Sequence, residues 1–164
     1  MLPQLALYQQ VELHLQIEFT TFKRVQERKM HKLISGGCLC GKVTFEVIDD
    51  FKEFHLCHCL ECRKITGSAH ASLLFASSNN INWLSGVEYI KRFDSPDWDL
   101  TNAFCTECGS DVPYLSKSGE SLVVPAGSLN DDPDMIPQDN IFWSERAGWY
   151  DEGVSAIHHD AFPV

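Results

Sequence analysis

The chain has 164 residues, of which 44% are hydrophobic, 11% aromatic and 22% charged. This length suits one domain with a single core, and the proportions exclude a collagen, a coiled coil and a disordered tail. The net charge of −10 would repel a phosphate backbone, so no nucleic-acid partner is expected. The longest uncharged run, Ile65 to Val87, contains five serines and three asparagines, so no membrane partner is expected either. No signal-peptide pattern is visible, which favours the cytoplasm.

The chain divides into a predicted N-terminal extension, residues 1–32, and a main domain, residues 33–164. Hydrophobic and polar residues alternate from Val11 to Phe19, and this period of two predicts a half-buried strand over residues 11–19. An uncovered strand edge favours aggregation. We therefore expect this strand to pack on the main domain, either within one chain or across a homodimer.

The sequence of the main domain predicts many short strands and one short helix. Helix is predicted only over Leu60 to Thr66, with Gly67 as its C-terminal stop. Acidic loops containing proline are predicted over Asp94–Asp99 and Asn130–Pro137. Strands are predicted around Val43 to Val47 and over His70–Phe75, Val87–Phe93, Val112–Leu115, Leu122–Val124 and Ile141–Trp143. This pattern predicts an all-β fold.

Seven cysteines fall into three groups: Cys38 and Cys40; Cys57, Cys59 and Cys62; Cys105 and Cys108. The count is odd, and two cysteines one residue apart rarely bridge each other, so metal binding is favoured over disulfides. Pairing the first group with the last gives a closed four-cysteine zinc site, which is the structural type. The middle group then supplies three ligands and leaves one position open, as catalytic zinc sites do.

Two other interpretations of the middle group remain open. A histidine, His55, His58 or His70, could supply a fourth ligand, which would make both zinc sites structural. Alternatively, Cys59 and Cys62 could form a redox CxxC pair at a helix start, where the helix dipole lowers a thiol pKa. Cys57 immediately upstream, and the lack of a preceding hydrophobic strand, count against the redox interpretation.

Three segments carry a family resemblance: Gly37-Cys-Leu-Cys-Gly-Lys-Val-Thr-Phe45, Cys57-His-Cys-Leu-Glu-Cys-Arg-Lys-Ile-Thr-Gly-Ser68 and Phe104-Cys-Thr-Glu-Cys-Gly109. Together with residues 125–131 and 141–149, they resemble the glutathione-dependent formaldehyde-activating enzyme (GFA) family. The resemblance implies a zinc-bearing, β-tent-like fold of several small antiparallel sheets, with one short helix after the CxCxxC motif. It also implies two zinc ions per chain, a structural one on Cys38, Cys40, Cys105 and Cys108 and a catalytic one on Cys57, Cys59 and Cys62.

The reaction for which the family is named joins glutathione and formaldehyde to give S-hydroxymethylglutathione. The resemblance therefore implies a zinc-dependent carbon–sulfur lyase whose small-molecule partner is a glutathione-type thiol or another S-hydroxymethyl thiol adduct. The substrate sulfur would bind at the open zinc position, which makes Cys57, Cys59 and Cys62 the candidate catalytic residues. The alternatives are a non-catalytic, zinc-stabilised binding module and a redox thiol protein.

The sequence allows two interpretations for the role of each of several neighbouring residues. Arg63 and Lys64 either offset the negative charge of the site or hold a substrate carboxylate, or they face solvent. Ser68 either hydrogen-bonds near the site or belongs to a turn. Trp143, Trp149 and Phe104 either line a pocket or belong to the core.

Overall fold

The computed structural model describes residues 32–163. The strands are Leu33–Gly37 (β1), Thr44–Ile48 (β2), Glu53–Cys57 (β3), Ala71–Ser77 (β4), Ile81–Ser85 (β5), Ile90–Asp94 (β6), Thr101–Cys105 (β7), Tyr114–Leu115 (β8), Ser121–Pro125 (β9) and Asp139–Ile141 (β10). The α-helices are Leu60–Thr66 (α1) and Tyr150–Val154 (α2). Single 3₁₀ turns cover Val87–Tyr89, Ala126–Ser128 and Trp143–Glu145.

The strands form three small sheets, in the orders β1-β2-β5, β10-β3-β4-β9-β8 and β6-β7. Every neighbouring pair is antiparallel except β10 and β3, which run parallel. The expected mostly β fold of several small sheets is therefore confirmed, and the parallel β10 corrects the expectation that all sheets are antiparallel. None of the helices within residues 32–163 is long and apolar enough to cross a membrane.

The main core lies between the three-stranded sheet and the five-stranded sheet. Phe45 and Val47 of β2 point inward and are fully buried, whereas Thr44 and Glu46 are only partly buried, as the alternation in the sequence predicts. Ile34 and Leu74 pack with them, and Trp83 lies edge-on to Phe45 at a centroid distance of 5.7 Å. This core fixes the five-stranded sheet, one face of which forms part of the cleft described below.

Helix α1 begins and ends where the sequence predicts. Cys59 is its N-cap, and the Cys59 sulfur accepts a hydrogen bond from the backbone N–H of Cys62 at 3.3 Å. Gly67 ends the helix with φ 62°, a left-handed conformation that glycine adopts without strain. Since seven residues are too few for a stable isolated helix, tertiary contacts and its cap must hold α1 in place.

The remaining elements differ from the sequence prediction in identifiable ways. Strands β1, β3, β5 and β7 were not predicted, and the segment Val87–Tyr89 is a 3₁₀ turn rather than the start of a strand. The strand predicted over Ile141–Trp143 shares only Ile141 with β10, because the chain turns at Phe142 and enters a 3₁₀ turn at Trp143. Strand β3 matters most, because it runs directly into Cys57, so the argument that no strand precedes the CxCxxC motif was wrong. Helix α2 was also not predicted. The predicted strand over residues 11–19 lies outside the described residues, and so does any dimer contact made through it.

Candidate metal centres

Four cysteines from two distant parts of the chain meet in the first cluster. Cys38 and Cys40 lie in the turn between β1 and β2, Cys105 ends β7, and Cys108 lies in the turn that follows. Their sulfur atoms all lie within 4.8 Å of one another, with 3.4 Å between Cys38 and Cys40 and 3.9 Å between Cys40 and Cys105. The cluster therefore joins residues that are about 70 positions apart in the sequence.

These distances fit a tetrahedral metal ion rather than disulfides. Four sulfurs bound at about 2.3 Å to one tetrahedral zinc lie about 3.8 Å from one another. A disulfide would need about 2.05 Å, and all seven cysteines are free thiols. The backbone N–H of Val43 also donates to the Cys38 sulfur at 3.3 Å, the contact expected of a metal-binding knuckle, since N–H donors stabilise thiolates. The four-cysteine set can hold a metal ion.

The second cluster consists of Cys57, Cys59 and Cys62. Cys57 ends β3, Cys59 caps α1, and Cys62 lies in the first turn of α1, so a strand–helix junction brings the three sulfurs together. They lie within 4.8 Å of one another, with 3.6 Å between Cys57 and Cys59. Cys57 and Cys62 are buried and Cys59 is half-buried. Within residues 32–163, no histidine or carboxylate joins these three thiols in a metal-binding group.

The three thiols of this cluster influence one another's protonation. A hydrogen bond from Cys62 lowers the pKa of Cys57 to about 6, and the same contact, together with burial, raises the pKa of Cys62. Burial also raises the pKa of Cys59. Because metal binding requires all three thiolates, the affinity of the cluster for a metal ion should fall as the pH is lowered.

None of the three histidines considered as a fourth ligand joins the three thiols in a metal-binding group, although the buried Nδ1 atoms of His58 and His70 have no hydrogen-bond partner among residues 32–163. His55 contacts Glu53 and Asp139 through its two ring nitrogens. His58 is fully buried, and its Nε2 lies 2.9 Å from Asn140 Oδ1. Its ring packs against those of His70, Trp143 and Tyr150, with centroid distances of 5.2, 5.0 and 4.9 Å. Because no ring nitrogen of these histidines lies within the group of thiols, the geometry favours a cluster of three ligands over one of four.

The three-cysteine cluster opens onto a cleft with a volume of about 590 Å³. Leu73, Phe75 and Val123 line it from the cluster's own face of the five-stranded sheet. Trp98 to Thr101 line it from the loop between β6 and β7 and the start of β7, and Phe142 and Glu145 from the segment after β10. The cleft is therefore large enough for a small molecule, and the three thiols lie in its wall.

The basic residues beside Cys62 do not line this cleft. Arg63 donates to the backbone carbonyl of Glu145 at 2.8 Å, and Lys64 is exposed. The Glu145 carboxylate in turn accepts from the N–H of Leu60 at 3.2 Å, so these contacts join α1 to the 143–145 turn. Ser68 is exposed and its N–H bonds to Thr66, which agrees with a turn role.

The aromatic residues considered in the sequence analysis lie neither in the buried core nor in the cleft. Trp143 and Trp149 are 41% and 60% exposed, and neither they nor Phe104 line the cleft. The aromatic rings that do line it are Phe75, Trp98, Tyr114 and Phe142. Sequence reasoning missed all four as site residues. The one available signal was Trp98, a large aromatic residue in an acidic, proline-containing loop where no core would need it.

The fold and the two clusters define a class of protein. It is small and mostly β, and it has two separate clusters of thiols, each able to hold a metal ion. The family profile described as "Glutathione-dependent formaldehyde-activating enzyme" matches residues 33–145. The chain belongs to this family.

Two individual proteins are similar to the chain. A protein of Halomonas elongata, provisionally named as a glutathione-dependent formaldehyde-activating enzyme, is 25% identical over 152 residues, which cover 77% of this chain and 94% of that protein. A crystal structure of a Rhodobacter sphaeroides protein superimposes with a TM-score of 0.50 at 23% identity, covering 63% of this chain and 97% of that one. The second similarity supports the fold alone.

Proposed function

We propose that the protein is a zinc-dependent carbon–sulfur lyase that makes or breaks the bond between a thiol sulfur and an aldehyde carbon. The observation that carries this proposal is the cluster of three thiols, without a fourth protein ligand among residues 32–163, in the wall of a 590 Å³ cleft. Family membership supports the same reaction class. Cys57, Cys59 and Cys62 are the proposed ligands of the reactive zinc, and the four-cysteine cluster is the proposed structural site.

When bound to three thiolates, zinc would favour the thiolate form of a substrate sulfur and leave that sulfur close to an aldehyde carbon. In the forming direction, the thiol loses its proton, a carbon–sulfur bond forms, and the former carbonyl oxygen gains a proton. In the reverse direction, the hydroxyl proton leaves, the carbonyl re-forms and the thiolate departs. No oxidant or reductant is required in either direction.

The chain's own residues would position and shield the reacting groups. Leu73, Phe75 and Val123 present an apolar floor that excludes water from one side of the cleft. Tyr114 lines the same cleft, and its hydroxyl group is a donor available to the oxygen of the adduct, whereas the Thr101 hydroxyl already donates to Asp94 Oδ1 at 2.6 Å. Burial raises the pKa of Tyr114, which keeps this phenol protonated at neutral pH.

The division of the chain into an extension over residues 1–32 and a catalytic domain from residue 33 onward is part of the proposal. So is a cytoplasmic location, because a reducing compartment keeps all seven cysteines available as thiolates.

The experiment is a test of catalysed adduct exchange. Pre-formed adducts of formaldehyde with a set of thiols are diluted, and the release of free formaldehyde is followed with and without the zinc-loaded protein. We expect faster release with the protein and the uncatalysed rate with the Cys59→Ser variant. If no adduct is released faster than in buffer, while the protein holds two inert zinc ions, the non-catalytic binding module is the better account.

A further inference from the structure

The walls of the cleft carry an uneven set of charges. Three carboxylates, those of Glu61, Asp99 and Glu145, line it together with a single basic residue, Lys117. The carboxylates belong to helix α1, the loop between β6 and β7, and the 143–145 turn, so they approach the cleft from three separate elements. Among the described residues, Glu61 and Asp99 have no hydrogen-bond or ion-pair partner. Glu145 is bonded to the N–H of Leu60 at the start of α1, and the Arg63 guanidinium donates to its backbone carbonyl, so its charge is partly offset.

Lys117 keeps its positive charge, which offsets at most one of these three carboxylates. Its ammonium donates to the backbone carbonyl of Ser95 at 2.9 Å and to that of Trp98 at 3.1 Å. Two of its three N–H donors therefore hold the loop that carries Trp98 and Asp99 against the 116–120 turn. The main role of Lys117 is to hold one wall of the cleft in place, and binding an anion is secondary.

Aromatic rings form the second feature of the cleft. Phe75, Trp98, Tyr114 and Phe142 line it, and Trp98 and Phe142 are 57% and 56% exposed. Phe142 also has φ 55°, and no other non-glycine residue within residues 32–163 has a positive φ. Non-glycine residues seldom adopt this conformation, so it points to a function for the ring at this position. The faces of aromatic rings attract cations, and rings combined with carboxylates are the chemistry that recognises organic ammonium groups.

The three-thiol cluster adds to the negative charge of the cleft. Three thiolates around one divalent cation retain one net negative charge, and a bound substrate thiolate brings another. A substrate whose remaining part is anionic would meet repulsion both from this centre and from the carboxylates. One whose remaining part is cationic would be attracted by both.

We propose that the cleft selects a thiol, or its aldehyde adduct, in which the part of the molecule beyond the sulfur is an organic cation, with Glu61 and Asp99 as specificity-determining residues. This inference rests on the proposed function, because it assumes that the substrate sulfur reaches the three-thiol cluster.

The test uses three thiols of similar size and different charge: cysteamine, which is cationic, 2-mercaptoethanol, which is neutral, and 3-mercaptopropionate, which is anionic. The full chain, with cobalt in the three-cysteine site, is titrated with each thiol, and the visible absorption of cobalt reports binding. We expect the order cysteamine, then mercaptoethanol, then mercaptopropionate, from tightest to weakest. Glutathione, with two carboxylates and one ammonium group, should bind more weakly than cysteamine.

Charge variants separate the effect of the cleft from the intrinsic pKa of each thiol. Glu61→Gln and Asp99→Asn should each reduce the ratio of cysteamine affinity to mercaptoethanol affinity by about three- to fivefold, as partly exposed charges do. Glu88→Gln, an equal charge change at an exposed residue outside the cleft, should leave this ratio unchanged.

The outcomes are distinguishable. A preference for cysteamine that Glu61→Gln and Asp99→Asn weaken and Glu88→Gln does not supports the inference. If all three thiols change the spectrum but anionic thiols bind as tightly as cysteamine, or if the ratio is the same in all variants, the inference is wrong and the proposed function stands. If no thiol changes the cobalt spectrum, the proposed function itself fails and the inference fails with it.

Discussion

Replacing one cysteine in each cluster should have opposite consequences for the fold and for chemistry. Cys105 is fully buried and belongs to the cluster that ties the β1–β2 turn to the end of β7. Structural zinc contributes about 10–16 kcal/mol in small zinc-binding peptides, whereas whole domains are stable by only about 5–15 kcal/mol. Losing even half of the zinc contribution would therefore unfold an ordinary domain. We expect Cys105→Ser to be absent from the soluble fraction.

Cys59→Ser is the matched variant in the other cluster. The three thiols at residues 57–62 lie within one short segment, so their metal closes no long loop. The Cys59 sulfur accepts the N–H of Cys62 as the cap of α1, and a serine hydroxyl is a good substitute for that cap. We expect this variant to fold with a thermal midpoint close to that of the parent, to retain about one zinc per chain instead of about two, and to lose turnover.

The assay combines soluble yield, thermal unfolding and zinc per chain measured by atomic emission. Mild chelation of the parent protein should reproduce the Cys59→Ser state, since only the open site is accessible to the chelator. The division into a structural and a reactive site would be refuted if Cys59→Ser failed to fold as Cys105→Ser does. It would also be refuted if Cys105→Ser folded normally with one zinc bound.

Three further predictions concern packing, pH and turnover. Gly36→Ala should destabilise the domain by about 1–3 kcal/mol in urea unfolding, because a Cβ there would overlap the ring of Phe45 and lie 2.6 Å from the backbone carbonyl of Ser128. Gly127→Ala is the control: a Cβ there meets nothing within 4 Å, so its stability should be nearly unchanged. Burial alone would lower the pKa of His55, but hydrogen bonds to Glu53 and Asp139 raise it above its ordinary value. A raised pKa contributes stability that is fully present below about pH 6.5 and is lost as the pH rises through the folded-state pKa. The stability advantage of the parent protein over His55→Gln should therefore shrink on the alkaline side. A constant difference in stability from pH 6 to 9 would contradict this. Turnover should rise with pH and level off well below the free-thiol pKa of about 8.5, and a rise that continues through pH 8.5 would argue against activation of the thiol at the site.

The sequence was most informative where chemistry depends on local spacing. The grouping of seven cysteines into four and three follows from their spacing, and the structure brings the same two sets together. The alternation of Phe45 and Val47 with polar residues predicted β2, and Gly67 predicted the end of α1. Each cysteine group, the strand and the helix end give a signal within a few consecutive residues, and the two distant cysteine pairs were joined because the middle group already accounts for the other three.

What the sequence did not reveal depends on contacts between distant segments. Strand β3 contains Glu53 and His55, which face the same side as Cys57 and reduce the hydrophobic signal of the strand. Strand β10 exists because it pairs in parallel with β3, more than 80 positions away, and three residues give no periodicity. The cleft is lined by residues scattered from Cys57 to Glu145, so no single segment carries its pattern. For the same reason, Trp98 and Phe142 could not be assigned to it in advance.

X-ray absorption at the cobalt edge tests the central claim most directly. Cobalt is placed only in the three-cysteine site, after mild chelation, with zinc retained in the four-cysteine site, and sulfur ligands to cobalt are counted before and after a thiol is added. The account predicts about three sulfur ligands and one lighter ligand in the free protein, and about four sulfur ligands with the thiol bound. A nitrogen ligand from a histidine that persists after thiol addition, with the sulfur count unchanged at three, would contradict it.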